Sequence, residues 1–290
     1  MRDKLFISFS GGKTSAYMTY KLLSDYKIRA IYKDIVVLFA NTGQEYEETL
    51  QFVSDCDKHL GFNTIWLEAS IINQKRKGTS FKVVNYESAN RSGFPYEKMC
   101  EKYGIPNITG PFCTRELKLQ PMTSYLRSIG WRKNSYDTCI GIRFDELDRV
   151  SKSAIQNGII YPLIDWRITK KDVQNFWYSQ SFNLQLPEHK GNCKWCWKKS
   201  DRKLYTLVLE DESIFDFPDK LENLYSLSGN HSIKEPRYFF RGNRPTKLLL
   251  EQAKNTEFTP FTDSYYVSIQ NFEENLDTAG GCSESCEIFS

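Results

Sequence analysis

Apolar and polar positions alternate between two rhythms along the first half of the chain. Leu5 to Phe9 is a short apolar run that stops at Ser10-Gly11-Gly12, and from Lys13 onward Ala16, Tyr17, Tyr20, Leu22 and Leu23 recur at helical intervals. Asp34 to Ala40 is apolar almost throughout, the pattern of a central parallel strand covered on both faces. Asn41-Thr42-Gly43 punctuates it, and Leu50, Val53, Cys56 and Leu60 then mark a helix over residues 45–60. Thr64 to Leu67 is a third strand. Strand and helix in turn, joined by short turns, predict a doubly wound, mainly parallel sheet of about five strands.

The rhythm breaks over residues 71–110, which are rich in Lys, Asn, Ser, Gly and Pro and read as an insertion with one short helix near Tyr96 to Tyr103. Glu116 to Ile129 is helical despite Pro121, Tyr136 to Ile142 is a fourth strand, and Ile159 to Ile164 a fifth. Thr169 caps a helix reaching Ser179, with Asp172 supporting its first turn. Beyond Cys193 and Cys196 the pattern is mostly helical to about Ala253, followed by a polar stretch with little periodicity. The expected units are an α/β nucleotide-binding portion at 1–180, a helical cysteine-bearing portion at 181–254 and a polar tail at 255–290.

Composition narrows the class. The 290 residues are 40% hydrophobic and 26% charged, ordinary values for a folded chain. A net charge of +3 neither demands nor opposes a polyanionic partner. The charged start, Met1-Arg2-Asp3-Lys4, does not resemble a secretory leader, and the longest apolar run, Ile35 to Ala40, is too short to cross a bilayer. A cytoplasmic protein without a membrane partner is expected. In that compartment eight cysteines point to metal ligation, redox chemistry or buried thiols rather than a disulfide framework.

A strand, two glycines and a helix start suit an anion. Glycines let backbone N–H groups approach phosphate, and the helix N-terminus adds its dipole. Lys13 contributes charge, while Ser10, Thr14 and Ser15 contribute hydroxyls. A plain glycine turn would have the same sequence. A Walker A loop is excluded, because the glycine it needs five positions before Gly12 is Ile7.

The segment Ser10-Gly11-Gly12-Lys13-Thr14-Ser15 resembles the pyrophosphatase loop of the adenine nucleotide α-hydrolase-like (PP-loop) enzymes, and within them the phosphoadenosine phosphosulfate (PAPS) reductase family. Four further segments are similar to that family in the same order: Asn41-Thr42-Gly43-Gln44-Glu45 with Glu48 to Phe52; Cys113 to Lys118 with Pro121; Gly141-Ile142-Arg143 with Asp145-Glu146; and Tyr161 to Trp166 with Asp172-Val173. Two departures stand out. Thr14 replaces the usual loop Asp, and the terminal Glu-Cys-Gly-x-His segment of the sulfonucleotide reductases is missing, with Cys282-Ser283-Glu284-Ser285-Cys286 near the end instead.

The resemblance implies a Rossmann-like fold and a site for ATP or a related adenine nucleotide with Mg²⁺. Ser10 to Ser15 would hold the phosphates. Asn41, Thr42, Gly43, Gly141, Arg143, Asp145 and Glu146 would complete the nucleotide pocket, and Lys13, Ser15, Arg115 and Lys118 would carry catalysis. The implied enzyme adenylates an acceptor, releases pyrophosphate and supports sulfur transfer. A sulfonucleotide reductase and a non-catalytic nucleotide- or metal-binding module are the alternatives.

Cys193-Lys194-Trp195-Cys196 is a C-x-x-C knuckle, a pattern that both zinc and iron–sulfur sites use. By resemblance to cluster-bearing relatives, Cys113, Cys193 and Cys196 are expected to bind an iron–sulfur cluster, with Cys100 or Cys139 as a fourth ligand and zinc as the alternative. Cys56 reads as core, and Cys282 and Cys286 are either a redox pair or, as favoured here, without a role. His59, His189 and His231 have no ligand or triad spacing. Cations mixed with rings at 189–203 and 237–247 fit either a nucleic-acid surface or a solvated basic face over a core. Nucleic acid is the favoured acceptor, a sulfur-donor protein the expected partner, and the sequence is compatible with an oligomer.

Overall fold

The apolar runs form the middle of a sheet. The computed structural model describes residues 2–74, 76–229 and 235–262. It contains β1 (Lys4–Ser8), β2 (Asp34–Asn41), β3 (Ile65–Ser70), β4 (Ser80–Val84), β5 (Asp137–Cys139) and β6 (Ile159–Ile160), in the spatial order β4-β3-β2-β1-β5-β6. Every neighbouring pair is parallel except β3 with β4. From β1 the chain builds outward through β2 and β3, then returns to place β5 on the other side of β1. The order therefore reverses beside β1, where open α/β sheets hold ligands at their carboxyl edge.

Eleven helices accompany the sheet among the described residues: α1 (Lys13–Ser24), α2 (Tyr26–Ile31), α3 (Glu47–Leu60), α4 (Phe94–Tyr103), α5 (Gln120–Ser128), α6 (Ala154–Asn157), α7 (Pro162–Asp165), α8 (Lys170–Tyr178), α9 (Asp201–Glu210), α10 (Asp216–Tyr225) and α11 (Thr246–Asn255). No helix is long and apolar enough to cross a membrane among these residues.

Side-chain alternation along β1 separates two cores. Leu5, Ile7 and Phe9 pack on one face with Met18, Leu22, Phe52, Val53, Cys56 and Trp177, whereas Phe6 packs on the other with Leu38, Leu67, Met122 and Leu126. A third core joins the insertion to the C-terminal helices: Tyr96, Met99, Cys100 and Leu117 meet Trp195, Leu204, Phe215, Phe239 and Leu249.

Several expectations change. The sheet has six strands, because Ser80–Val84 in the insertion adds an antiparallel edge. The fifth expected strand is only Ile159–Ile160 and turns at Pro162 into α7. The helix expected from Glu116 starts earlier, as a π-helix over Cys113–Leu119, and continues as α5 with Pro121 in its first turn. Thr169 and Asp172 form the capping box of α8, with the Thr169 hydroxyl donating to Asp172 at 2.6 Å. Cys282, Cys286 and His231 lie outside the described residues.

Candidate active site

The loop from Ser10 to Ser15 is held by its own groups. Ser15 Oγ accepts from Ser10 N at 3.2 Å, lies 2.9 Å from Ser10 Oγ and donates to Gly12 O at 3.1 Å. Ser15 is buried, so its hydroxyl shapes the loop. Gly11 has φ +81°, and an added Cβ would lie 2.8 Å from Thr49 Cγ2. At Gly141, after β5, a Cβ would meet Ser15 Cα at 3.0 Å, so this glycine lets the β5 loop close against the start of α1. Trp177 of α8 donates to Lys13 O at 2.9 Å and ties the loop from below. The resulting cleft is lined by Ser10, Gly11, Gly12, Glu45, Lys118 and Asn192, among others.

The end of β2 forms the opposite wall. Asn41 donates to Glu68 at 2.7 Å and to Asn90 O at 2.9 Å, while its carbonyl accepts from Gly43 N. Asn41 is therefore committed to joining β2, β3 and the insertion. Sequence reasoning missed Glu45 as a site residue. Its carboxylate accepts from Thr42 N at 2.9 Å and from the Thr42 hydroxyl at 2.8 Å, and it lines the cleft although almost wholly buried. Burial pushes its carboxyl up, while Lys118 and the Thr42 hydrogen bonds pull it back. A Glu just ahead of a helix looks like an ordinary first-turn charge, so the sequence carried no signal of its burial.

Lys118 and Arg115 lie on the π-helix, an irregularity often found at functional sites. Arg115 pairs with Glu116 at 2.6 Å and stacks 5.3 Å from the Phe112 ring, away from the residues lining the cleft. Lys118 lines both the nucleotide-side cleft and a second, smaller pocket whose wall includes Thr42, Thr114, Cys113, Cys193, Cys196 and Trp197. The knuckle is strapped to the loop after β2. Lys194 N donates to Gln44 O at 2.9 Å, and Trp195 Nε1 donates to Gln44 Oε1 at 2.7 Å.

The structure thus brings Cys113, Cys193 and Cys196 to one pocket. Cys100 shares their core cluster, and all four sulfurs act electrostatically on the Tyr96 hydroxyl, whose burial pushes it well up. Cys139 is elsewhere: it lies in β5 between Ile7 and Ile160, in the core beneath α1 and α8. Cys193 Sγ sits 3.4 Å from Thr42 Oγ1. Among the described residues no group of three or more His, Cys, Asp or Glu side chains is found close enough together to hold a metal ion.

Beyond Gly141, Arg143 donates to Thr14 Oγ1 at 3.2 Å and to Asp145 at 2.9 Å, linking the Ser10–Ser15 loop to the segment after β5. Glu146 pairs with Arg149 and lies 3.4 Å from Arg143. Both carboxylates are engaged by arginines. The expected stacking surface is also revised. Trp195, Trp197, Phe239 and Phe240 are buried in the third core, so these rings pack inward, and Lys199 is buried beside them with its Nζ donating to Cys193 O at 2.9 Å. Lys190 and Lys194 lie 6.0 and 5.9 Å from the Tyr46 ring at the rim. His189 pairs with Glu210, and His59 packs against Phe182.

Trp197, which lines the thiol pocket, has a buried polar atom without a partner. Trp197 is 4% exposed, and its Nε1 has no acceptor. An unsatisfied buried donor costs roughly 1–3 kcal/mol. Among the described residues, Trp197 is the only one with such an atom that lines either pocket.

Comparison with known proteins agrees with this geometry. Residues 4–185 match the family model of the phosphoadenosine phosphosulfate reductase domain. The chain is 32% identical over 286 residues to the uncharacterized nin region protein ORF290 of Escherichia phage lambda, covering 98% of this chain and 94% of that protein. It is also 30% and 31% identical to the uncharacterized proteins MJ0066 and MJ0973 of Methanocaldococcus jannaschii. Those matches cover 54% and 56% of this chain but only 27% and 33% of the archaeal proteins.

Proposed function

The chain belongs to the phosphoadenosine phosphosulfate reductase domain family, and from that premise we propose that it binds ATP, adenylates an acceptor and supports sulfur transfer to it. The observation that carries this reading is the placement of Lys118 on the walls of both the nucleotide-side cleft and the pocket of three thiols. In this reading the Ser10–Ser15 loop and Lys13 receive the phosphates, and the Arg143–Thr14 bridge fixes the cleft's far side. An acceptor oxygen attacks the α-phosphorus, the bond to the β-phosphate breaks, and pyrophosphate leaves. Sulfur then displaces AMP from the adenylated acceptor.

In this reading a donor protein in the cytoplasm loads one pocket cysteine as a persulfide; its outer sulfur displaces AMP, a second pocket thiol breaks the resulting S–S bond to release the thiolated acceptor, and an external thiol reduces the cysteine disulfide left behind. Nucleic acid is the proposed acceptor, held by cations such as Lys190 and Lys194 rather than by the inward-facing rings. The family match also favours a second reading, reductive release of sulfite from a sulfonucleotide. Two assays separate them. Adenylation requires conversion of ATP to AMP and pyrophosphate that depends on acceptor RNA or DNA, and sulfite release from adenosine phosphosulfate without that conversion would replace it with the reductive reading.

A further inference from the structure

Besides Lys190 and Lys194 at the rim of the nucleotide-side cleft, a second group of cations stands next to the thiols, interleaved with rings. Arg115, half exposed on the π-helix, lies 5.9 Å from the Tyr103 ring and 5.3 Å from the Phe112 ring. Arg237 lies 5.2 Å from Phe112, and Lys102 of α4 lies 5.1 Å from Tyr103. The two rings are half-buried, with centroids 6.4 Å apart. Thr114, which precedes Arg115, lines the thiol pocket and accepts from Lys198 Nζ at 3.4 Å. The Lys198 carbonyl in turn accepts from Arg241 at 3.1 Å. Cations from α4, the π-helix, the knuckle's far end and the 237–241 segment are thereby joined into one group.

We propose that this group is the docking surface for the acceptor: it holds the phosphate backbone of a single-stranded nucleic acid beside the thiol pocket, with Arg115 as its central contact. The inference rests on the adenylating, sulfur-transferring reading and adds where its acceptor binds. Lys102 donates to the carbonyls of Ile72 and Lys77, and Arg237 to Asn107 and Thr109; these neutral oxygens orient a cation without cancelling its charge. Burial pushes the Arg237 guanidinium down, a cost that an incoming anion offsets. Stacking engages the face of a guanidinium, whereas phosphate is recognised along its N–H edge. Half-buried rings beneath these cations suit contact with phosphates rather than stacking of bases, so binding should depend little on sequence. A single strand fits better than a duplex because Cys193 and Cys196 are buried, and an acceptor group held in a duplex stack cannot be brought to them.

The test measures the fluorescence anisotropy of labelled single-stranded RNA and DNA oligonucleotides, and of a DNA duplex, with the full chain over a series of salt concentrations. Wild type should bind the single strands more tightly than the duplex, with affinity falling steeply as salt rises. Arg115→Gln and Lys198→Gln should each weaken strand binding several-fold and reduce the slope of log affinity against log salt by about 0.7, the loss of one phosphate contact. Arg115→Lys keeps the charge and should restore the slope. Lys33→Gln, an exposed position just before β2 at the opposite edge of the sheet, should bind as wild type. Circular dichroism and ATP affinity should match wild type in every variant. Unchanged affinity and slope in Arg115→Gln and Lys198→Gln, preference for the duplex, or no strand binding by wild type would each overturn the proposal. AMP formation in the presence of nucleic acid is measured separately. Strand binding that needs these cations without AMP formation supports the surface and removes the adenylating reading, whereas AMP formation with strand binding indifferent to the substitutions removes the surface and keeps that reading.

Discussion

The Ser10–Ser15 loop and the Cys193–Cys196 knuckle face the same lysine but are built in opposite ways. The loop is closed by its own serines and by glycines that admit close neighbours, leaving little to rearrange when a phosphate arrives. The knuckle is strapped to Gln44 from outside and is followed by Trp197, whose buried indole N–H has no acceptor. The first region is preorganised by backbone and small residues, the second by packing around large rings. Damage to the loop should therefore act through strain, and damage to the knuckle through chemistry.

The largest effect is expected where the regions meet. Lys118→Ala should lower the turnover of ATP to AMP by about 10²–10³-fold, the scale of removing one preorganised charge donor, with a smaller change in ATP affinity. Equal loss of affinity and turnover would make Lys118 part of the loop region alone. Gly11→Ala sharpens the contrast from the other side. Its Cβ would press on Thr49 in a positive-φ conformation, costing about 1–3 kcal/mol of stability and weakening ATP binding. Thermal unfolding with and without ATP measures both.

The C-terminal core offers a pH handle of its own. Glu222 is buried and accepts from Phe239 N at 2.9 Å and Thr246 N at 2.8 Å. Burial pushes its pKa up to about 7. The folded state then holds this proton more tightly than the unfolded chain, so the stability it contributes is present at acidic pH and lost as pH rises from about 4.5 through 7. Glu222→Gln should flatten that dependence in denaturant titrations; an unchanged slope would assign it to other groups. The smallest effect is expected for Cys139→Ser compared with Cys193→Ser. The serine in β5 should cost stability with turnover per folded molecule unchanged, whereas at Cys193 the sulfur-transfer step should be lost and ATP binding kept.

What could be read from the sequence follows the same divide. Strands β1 and β2, with α3 and α8, were visible because their apolar spacing or capping residues are local. β4 was not, because an edge strand with Lys82 and mostly exposed positions resembles a polar loop. α2 buries no residue and has no apolar face to detect. The π-helix is invisible to a 3.6-residue period, yet it carries Lys118. Adjacent cations and rings near Cys193 suggested a stacking surface, and only the fold decides that Trp195 and Trp197 turn inward. The motif segments predicted which loops gather at the carboxyl edge, but not that Asn41 and Ser15 are consumed in holding them or that Glu45 enters the cleft.

The central claim is that one lysine serves both a nucleotide site and a thiol site. The most direct measurement follows labelled ATP with purified full-length wild type and Lys118→Ala, in the presence of RNA or DNA and a sulfur donor. AMP, pyrophosphate and thiolated nucleic acid are quantified together. The account expects wild type to form all three and the variant to bind ATP while forming little of any. Undiminished formation of AMP and thiolated product by Lys118→Ala would contradict it.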